Sequence, residues 1–190
     1  MARYGHDFDE RGLVRGLAGA GPDAAPAYAQ GVRGTGALTV RAADIMTEEP
    51  RAVTSRTPLA DAARLMAEAD VGILPVVDGS EGARLVGVVT DRDLAVRGLA
   101  LGRDGAAPVA ECMTSTVASV RPAASMREVF DLMKRERIRR VPVTDADGRL
   151  VGIIAQADLA VHYAGLDVER EREVEEVIER ISEPGPRNRA

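Results

Sequence analysis

The sequence contains no tryptophan, only two phenylalanines and three tyrosines. Its interior must therefore be built from Val, Ile, Leu, Met and Ala, which favours small, tightly packed α/β units over an aromatic-lined substrate cleft. There is one cysteine, Cys112, so an intramolecular disulfide is excluded and a reducing compartment fits. Cys112 lies between Glu111 and Met113 in a short apolar patch, where a buried, inert thiol is expected rather than a nucleophile. Histidine is almost missing. Neither His6 nor His162 has carboxylates or Cys/His neighbours at metal-ligand spacing, so a hydrolase lacks its parts and no catalytic or metal residue is expected. No apolar run approaches the ~20 residues of a membrane span. The N-terminus shows neither a basic start nor an unbroken apolar core, so no signal peptide is expected and the expected location is cytoplasmic. Twenty-five Lys and Arg against thirty Asp and Glu leave a net charge of −5, which argues against nucleic acid as a partner.

The 190 residues, 45% of them hydrophobic, suffice for one ordinary domain or two small ones sharing a core. Residues 1–36 are rich in Gly, Ala, Arg and Asp, with Pro22 and Pro26 and no lasting period, and are expected to form a flexible arm. An arm that packs on a partner subunit is the alternative. Regular structure is expected from Thr39 onward. Asp44-Ile45-Met46-Thr47 leads to a short strand, Ala52-Val53-Thr54. Thr57-Pro58 reads as a helix start, with Thr57 as N-cap and Pro58 at the first helical position. Leu59, Ala62, Ala63, Met66 and Ala69 give that helix one buried face. A buried strand carrying Pro75 runs from Val71 to Val77, and Asp78 to Gly82 is a turn. Next come a strand over Leu85–Thr90, a helix from Asp91 to about Leu99, and a linker from Gly102 to Pro108.

The whole order then repeats. Cys112-Met113-Thr114 answers Ile45-Met46-Thr47, and Val141-Pro142-Val143-Thr144-Asp145 answers Leu74-Pro75-Val76-Val77-Asp78. Ser125 and Glu128 have capping-box spacing, and Met126, Val129, Phe130 and Met133 reproduce the apolar stripe. Leu85-Val86-Gly87-Val88-Val89-Thr90-Asp91-Arg92-Asp93-Leu94 returns as Leu150-Val151-Gly152-Ile153-Ile154-Ala155-Gln156-Ala157-Asp158-Leu159. Two β-α-β-β-α units related by an internal pseudo-twofold are expected, an α/β (α+β) fold in which neither unit buries enough surface alone. The end of the chain, Val168 to Ile181, reads as a charged helix stopped by Glu183-Pro184-Gly185-Pro186.

These motifs, in this order and spacing over roughly residues 40–165, resemble a tandem pair of cystathionine-β-synthase (CBS) domains, a Bateman module, of the kind found in stand-alone bacterial two-CBS proteins. The resemblance sets the expected repeats at 40–103 and 107–165; the arm 1–36 and the charged helix 166–183 lie outside it. It also implies a non-catalytic regulatory module that senses energy state or a metabolite by binding an adenine nucleotide (AMP, ADP or ATP) or a related adenosyl ligand between the repeats, with no obligatory cofactor. A structural or stress-associated protein with vestigial sites is the alternative.

Asp93 at a helix start can accept hydrogen bonds from the vicinal hydroxyls of a ribose, and Thr90 adds one from the strand end. A plain helix cap explains the same two residues. By resemblance, Val71, Gly72 and Ile73 form one wall of the adenine slot, and Met46 and Arg51 the other. Arg139 and Arg140 stand where related modules carry phosphate-binding cations, and the resemblance assigns them to the Thr90/Asp93 site. Lys134 and Arg135 read as a solvated helix end favoured by the helix dipole. In the second copy Asp158 persists while Ala155 replaces the hydroxyl residue, so that site is expected to be empty or selective for a less charged adenosyl ligand. The resemblance further implies a homodimer, formed through the stripes near Leu59–Met66 and Met126–Met133, and a downstream protein partner that it does not identify.

Overall fold

A computed structural model describes residues 7–8, 14–15, 40–79, 83–163, 172, 175–176 and 178–180. The expected arm lies largely outside the described residues; within it, β1 (Asp7–Phe8) and β2 (Val14–Arg15) pair antiparallel. Among the described residues the other strands and named α-helices are α1 (Ala42–Ile45), β3 (Thr47–Glu48), β4 (Val53–Thr54), α2 (Leu59–Ala69), β5 (Ile73–Val77), β6 (Leu85–Thr90), α3 (Asp91–Asp93), α4 (Met126–Glu136), β7 (Arg140–Thr144), β8 (Leu150–Ala155) and α5 (Gln156–Tyr163). The internal repeat is present in the long helix and the two strands after it. Helices α2 and α4 are each 11 residues long, β5 and β7 each 5, and β6 and β8 each 6. Both long helices end on a left-handed residue, Asp70 and Arg137.

The chain divides into two compact units, and their borders do not follow the sequence repeats. Unit 1 takes Glu48–Val117 and Thr144–Val151 together with Met1–Pro26; unit 2 takes Ala27–Thr47, Ala118–Val143 and Gly152–Ala190. The opening segment of each sequence repeat thus folds outside the unit that holds most of that repeat.

In unit 1 a three-stranded sheet runs β4-β5-β6, parallel between β4 and β5 and antiparallel between β5 and β6. Its core gathers Val53, Leu59, Leu65, Met66, Leu74, Val76, Val89, Val109 and Cys112, each large aliphatic side chain contributing about 1.5–3 kcal/mol by leaving water. Proline in a central strand is normally costly because a ladder donor is lost. Here Pro75 faces Val88, whose own N–H and C=O are turned to Thr114 on its other side. The β4 ladder begins only at Val76, one residue past the proline. Several expectations change in this unit. The strand starts at Ile73 rather than Val71, because the Val71 N–H bonds back to the Met66 carbonyl and closes α2. Ala63 is exposed, while Leu65, which the stripe omitted, is buried.

Thr57 is not the cap of α2. Pro58 holds that position, and the buried Thr57 hydroxyl accepts instead from the Thr54 N–H at 3.1 Å. The first helical N–H groups donate to the linker: Leu59 to the Ala107 carbonyl and Ala60 to that of Gly105, both at 2.9 Å. Gly102–Pro108 is thus a main-chain cap as well as a connection. After β6 the chain stays helical through Leu101, as α3, a π turn at Leu94–Gly98 and a 3₁₀ turn at Leu99–Leu101.

In unit 2, α4 begins with the capping box read from the sequence. The Ser125 hydroxyl accepts from the Glu128 N–H, and the Glu128 carboxylate accepts from the Ser125 N–H. Met126, Val129, Phe130, Leu132 and Met133 are buried, and the Phe130 and Tyr163 rings meet with centroids 5.9 Å apart. A second three-stranded sheet has the order β3-β8-β7. Lys134 pairs with Glu176, 3.1 Å away, rather than standing alone as a solvated helix end.

The two stripes expected to pair subunits are already covered within the chain: Leu59, Met66, Met126, Val129, Phe130 and Met133 are all buried. Core filling is their first use. Among the described residues, the large apolar side chains left in water are Val96, Leu99, Leu101 and Val161.

Candidate functional site

Strand β6 ends in Thr90, whose extended backbone turns directly into α3. The Thr90 hydroxyl accepts from the Asp93 N–H at 3.1 Å and donates to Asp93 Oδ2 at 2.6 Å. The Thr90 N–H also donates to Oδ2, at 3.1 Å. The pair is therefore a complete capping box, and the plain structural explanation of these residues is true as far as it goes. It uses one carboxylate oxygen. Oδ1 of Asp93 keeps its acceptor capacity and faces Arg97 Nη1 at 3.4 Å, with the Asp93 side chain only 17% exposed.

Two more expected residues assemble around this junction. Ile73 lies directly across the ladder from Thr90. The Gly72 carbonyl accepts from the Asp91 N–H at 3.1 Å, and a Cβ on Gly72 would stand 3.1 Å from Asp91 Oδ2, so a side chain there would press on the helix head. Val71 packs half-buried against the same core, and Arg51 precedes β4 in the same unit.

Met46 belongs to unit 2, where a Cβ on Gly152 would fall 2.8 Å from Met46 Cγ. The thioether that lies against the Thr90 strand is Met113, over Gly87. Sequence reasoning missed Met113 as a site neighbour, although its correspondence with Met46 was visible. It also missed Arg97, although Arg97 is four residues after Asp93, a helical neighbour of opposite charge.

Unit 2 carries the copy. The Arg139 carbonyl accepts from the Gln156 N–H at 2.8 Å, as Gly72 does from Asp91. Asp158 Oδ2 accepts from the Ala155 N–H at 2.7 Å. With alanine at 155, the reciprocal hydroxyl bond is missing. Burial pushes the Asp158 carboxyl above its usual pKa, opposed by the Ala155 hydrogen bond and by the charge of Arg140. Arg139 is exposed and Arg140 half-buried at the start of β7.

Nothing else in the described residues resembles a reactive centre. No group of three His, Cys, Asp or Glu is placed to hold a metal ion among them. Cys112 is buried, and desolvation raises its thiol pKa, which keeps it protonated and unreactive. Among the described residues no helix is long and apolar enough to cross a membrane. Between α2 and the helical stretch 91–101, unit 1 has an apolar hollow of about 420 Å³ lined by Leu59, Ala63, Met66, Leu94 and Leu99.

The CBS domain profile matches this chain twice, at residues 42–98 and 109–165. The CBS domain-containing protein YhcV of Bacillus subtilis is 42% identical over 119 residues, 63% of this chain and 82% of YhcV. A crystal structure of CBSX2 in complex with AMP superposes with a TM-score of 0.57 at 30% identity, over 64% of this chain and 94% of CBSX2. A CBS domain pair crystallised with 5′-methylthioadenosine and S-adenosyl-L-methionine gives a TM-score of 0.58 at 28% identity, over 68% of this chain and 99% of that one.

Proposed function

The chain belongs to the CBS domain family, and on that premise we propose that it is a non-catalytic regulatory module that binds an adenine nucleotide or another adenosyl compound at Thr90 and Asp93. The observation that carries this is the half-used carboxylate of Asp93. Its Oδ2 is fixed by two donors from Thr90, so the group is oriented before any ligand arrives, and Oδ1 is left to accept ribose hydroxyls. Preorganisation of this kind lowers the ordering cost of binding.

AMP, 5′-methylthioadenosine and S-adenosyl-L-methionine in structures of similar fold support the ligand class. The resemblance assigns Val71, Gly72, Ile73, Met46 and Arg51 to the base, and Arg139 and Arg140 to phosphate. A guanidinium suits a phosphate because its fork of donors matches the anion's oxygens. Asp158 serves a weaker site for a less charged adenosyl ligand, since its burial disfavours the ionised form and Ala155 offers no hydroxyl. In the cell the module acts in the cytoplasm as a sensor of energy state or of a metabolite, relayed to a partner protein.

The alternative, a structural or stress-associated CBS protein with vestigial sites, draws on the same capping box, because Thr90 and Asp93 already satisfy one another. Isothermal titration with AMP, ADP, ATP, NAD and S-adenosylmethionine separates the two. Saturable binding of about one ligand per chain, abolished in Asp93→Ala and nearly intact in Asp158→Ala, is the expected result. No binding by any of the five supports the alternative.

We also propose a homodimer, formed through the side chains that remain exposed rather than through the expected stripes. Leu99, which lines the apolar hollow, is 79% exposed, and Leu101 is 67% exposed. A second copy would cover them with the same surface, as a twofold interface requires.

A further inference from the structure

We infer that Arg97 is a positioning residue that couples occupancy of Asp93 to the segment Cys112–Thr114. It rests on Asp93 being the carboxylate that receives the ligand. Arg97 lies in the π turn that follows α3, and such wide turns recur at functional sites.

A guanidinium Nη carries two hydrogens. Three acceptors surround Arg97 Nη1: Thr114 Oγ1 at 3.1 Å, the Cys112 carbonyl at 3.2 Å and Asp93 Oδ1 at 3.4 Å. The two hydrogens are already placed on Thr114 and Cys112, while Asp93 Oδ1 draws on the same nitrogen through its charge alone. A ribose hydroxyl donating to Asp93 Oδ1 takes up part of that charge. The pull of Asp93 on Arg97 then weakens, and the hydrogen bonds to Cys112 and Thr114 strengthen.

The segment that receives them is well placed to carry the change. Thr114 exchanges two main-chain hydrogen bonds with Val88 of β6, at 2.9 and 3.0 Å, two residues before Thr90. Arg103 ties the same region from the other end: its Nε donates to the Arg97 carbonyl at 2.8 Å, and its guanidinium pairs with Glu111. Residues 109–114 fold in unit 1, yet they open the second matched repeat. Ligand at Asp93 therefore tightens the start of the other repeat, and by linkage a tightened segment favours ligand.

Hydrogen exchange on the full chain with and without AMP tests the coupling. In wild type, AMP should slow exchange over 85–93 and, by about fivefold, the size one net hydrogen bond gives, over 109–117. Arg97→Ala should keep the first effect and lose the second, while Arg97→Lys, which keeps a cation able to reach the segment, should recover part of it. Thr114→Val, which removes one competing acceptor and leaves the bridge to Val88, should shrink the 109–117 effect, and it decides the matter if Arg97→Ala fails to fold. Full AMP protection of 109–117 in Arg97→Ala, or in Thr114→Val where that variant must decide, overturns the coupling alone. An absence of protection at 85–93 in wild type by AMP, ADP, ATP, NAD and S-adenosylmethionine alike, or its survival in Asp93→Ala, overturns the site itself and the coupling with it.

Discussion

Met113 lies across Gly87. A Cβ added at residue 87 would stand 3.2 Å from the Met113 sulfur and only 2.8 Å from the Thr114 main-chain carbonyl. The sulfur can move, but the carbonyl is held by Val88. Gly87→Ala should therefore destabilise the protein by about 1–3 kcal/mol, the usual range for overpacking. Urea unfolding monitored by circular dichroism should show a lower midpoint at unchanged slope.

Restoring a hydroxyl to the second copy should have the opposite sign. In Ala155→Thr the new oxygen can accept from the Asp158 N–H, completing the half-box already begun by the Ala155–Asp158 bond. A gain of about 1 kcal/mol is expected, the typical worth of an N-cap. Thr90→Val should lose a similar amount and also weaken adenosyl binding. Thermal unfolding of both variants, with titration of Thr90→Val, checks the pair.

Two carboxylates should give opposite pH signatures. Burial raises the pKa of Asp158, so its stabilising contribution is complete below the ordinary aspartate pKa and is lost as pH rises through the raised value. Asp158→Asn, which keeps an oxygen for the Ala155 N–H, should match wild type at about pH 3 and exceed it in melting temperature at about pH 7, either side of the carboxylate range. Glu128 is lowered by the hydrogen bonds from the Ser125 N–H and hydroxyl. Its contribution is present above the ordinary glutamate pKa and lost as pH falls through the lowered one, so Glu128→Gln should cost stability near neutrality and little in acid.

Leu99→Glu places a charge on the most exposed of the large apolar side chains among the described residues. Light scattering at micromolar concentration should show a dimer for wild type and a monomer for this variant, with the melting temperature little changed. A wild-type monomer would remove the dimer.

The repeat was legible because it is written twice: Leu-Pro-Val-Val-Asp against Val-Pro-Val-Thr-Asp, and Gly-Val-Val-Thr against Gly-Ile-Ile-Ala, fix strand, turn and helix order together. Capping at Ser125 and Glu128 was legible for the same local reason. Thr57 was not, since its hydroxyl is taken by Thr54 and the job of capping α2 passes to carbonyls almost fifty residues further along the chain. Local pattern cannot foresee a donor satisfied at that distance. Periodicity likewise told which side chains of α2 are apolar without telling what covers them, so core positions were read as a docking face. Of the candidate site, the grouping of Thr90, Asp93, Gly72 and Ile73 was legible because they sit at a strand end and its immediate neighbours. Met113 escaped because it arrives through tertiary folding, and Arg97 because its i+4 spacing from Asp93 reads equally as an ordinary surface ion pair.

The bonds from Leu59 and Ala60 to the carbonyls of Ala107 and Gly105 bear on how the chain meets proteases. An exposed loop between repeats is ordinarily where a cut does least harm. Here a nick between Arg103 and Pro108 would release the groups that hold the first turn of α2, and the helix would fray from its start. Cleavage in that loop should then be followed quickly by digestion of Leu59–Ala69, with no stable pair of halves accumulating.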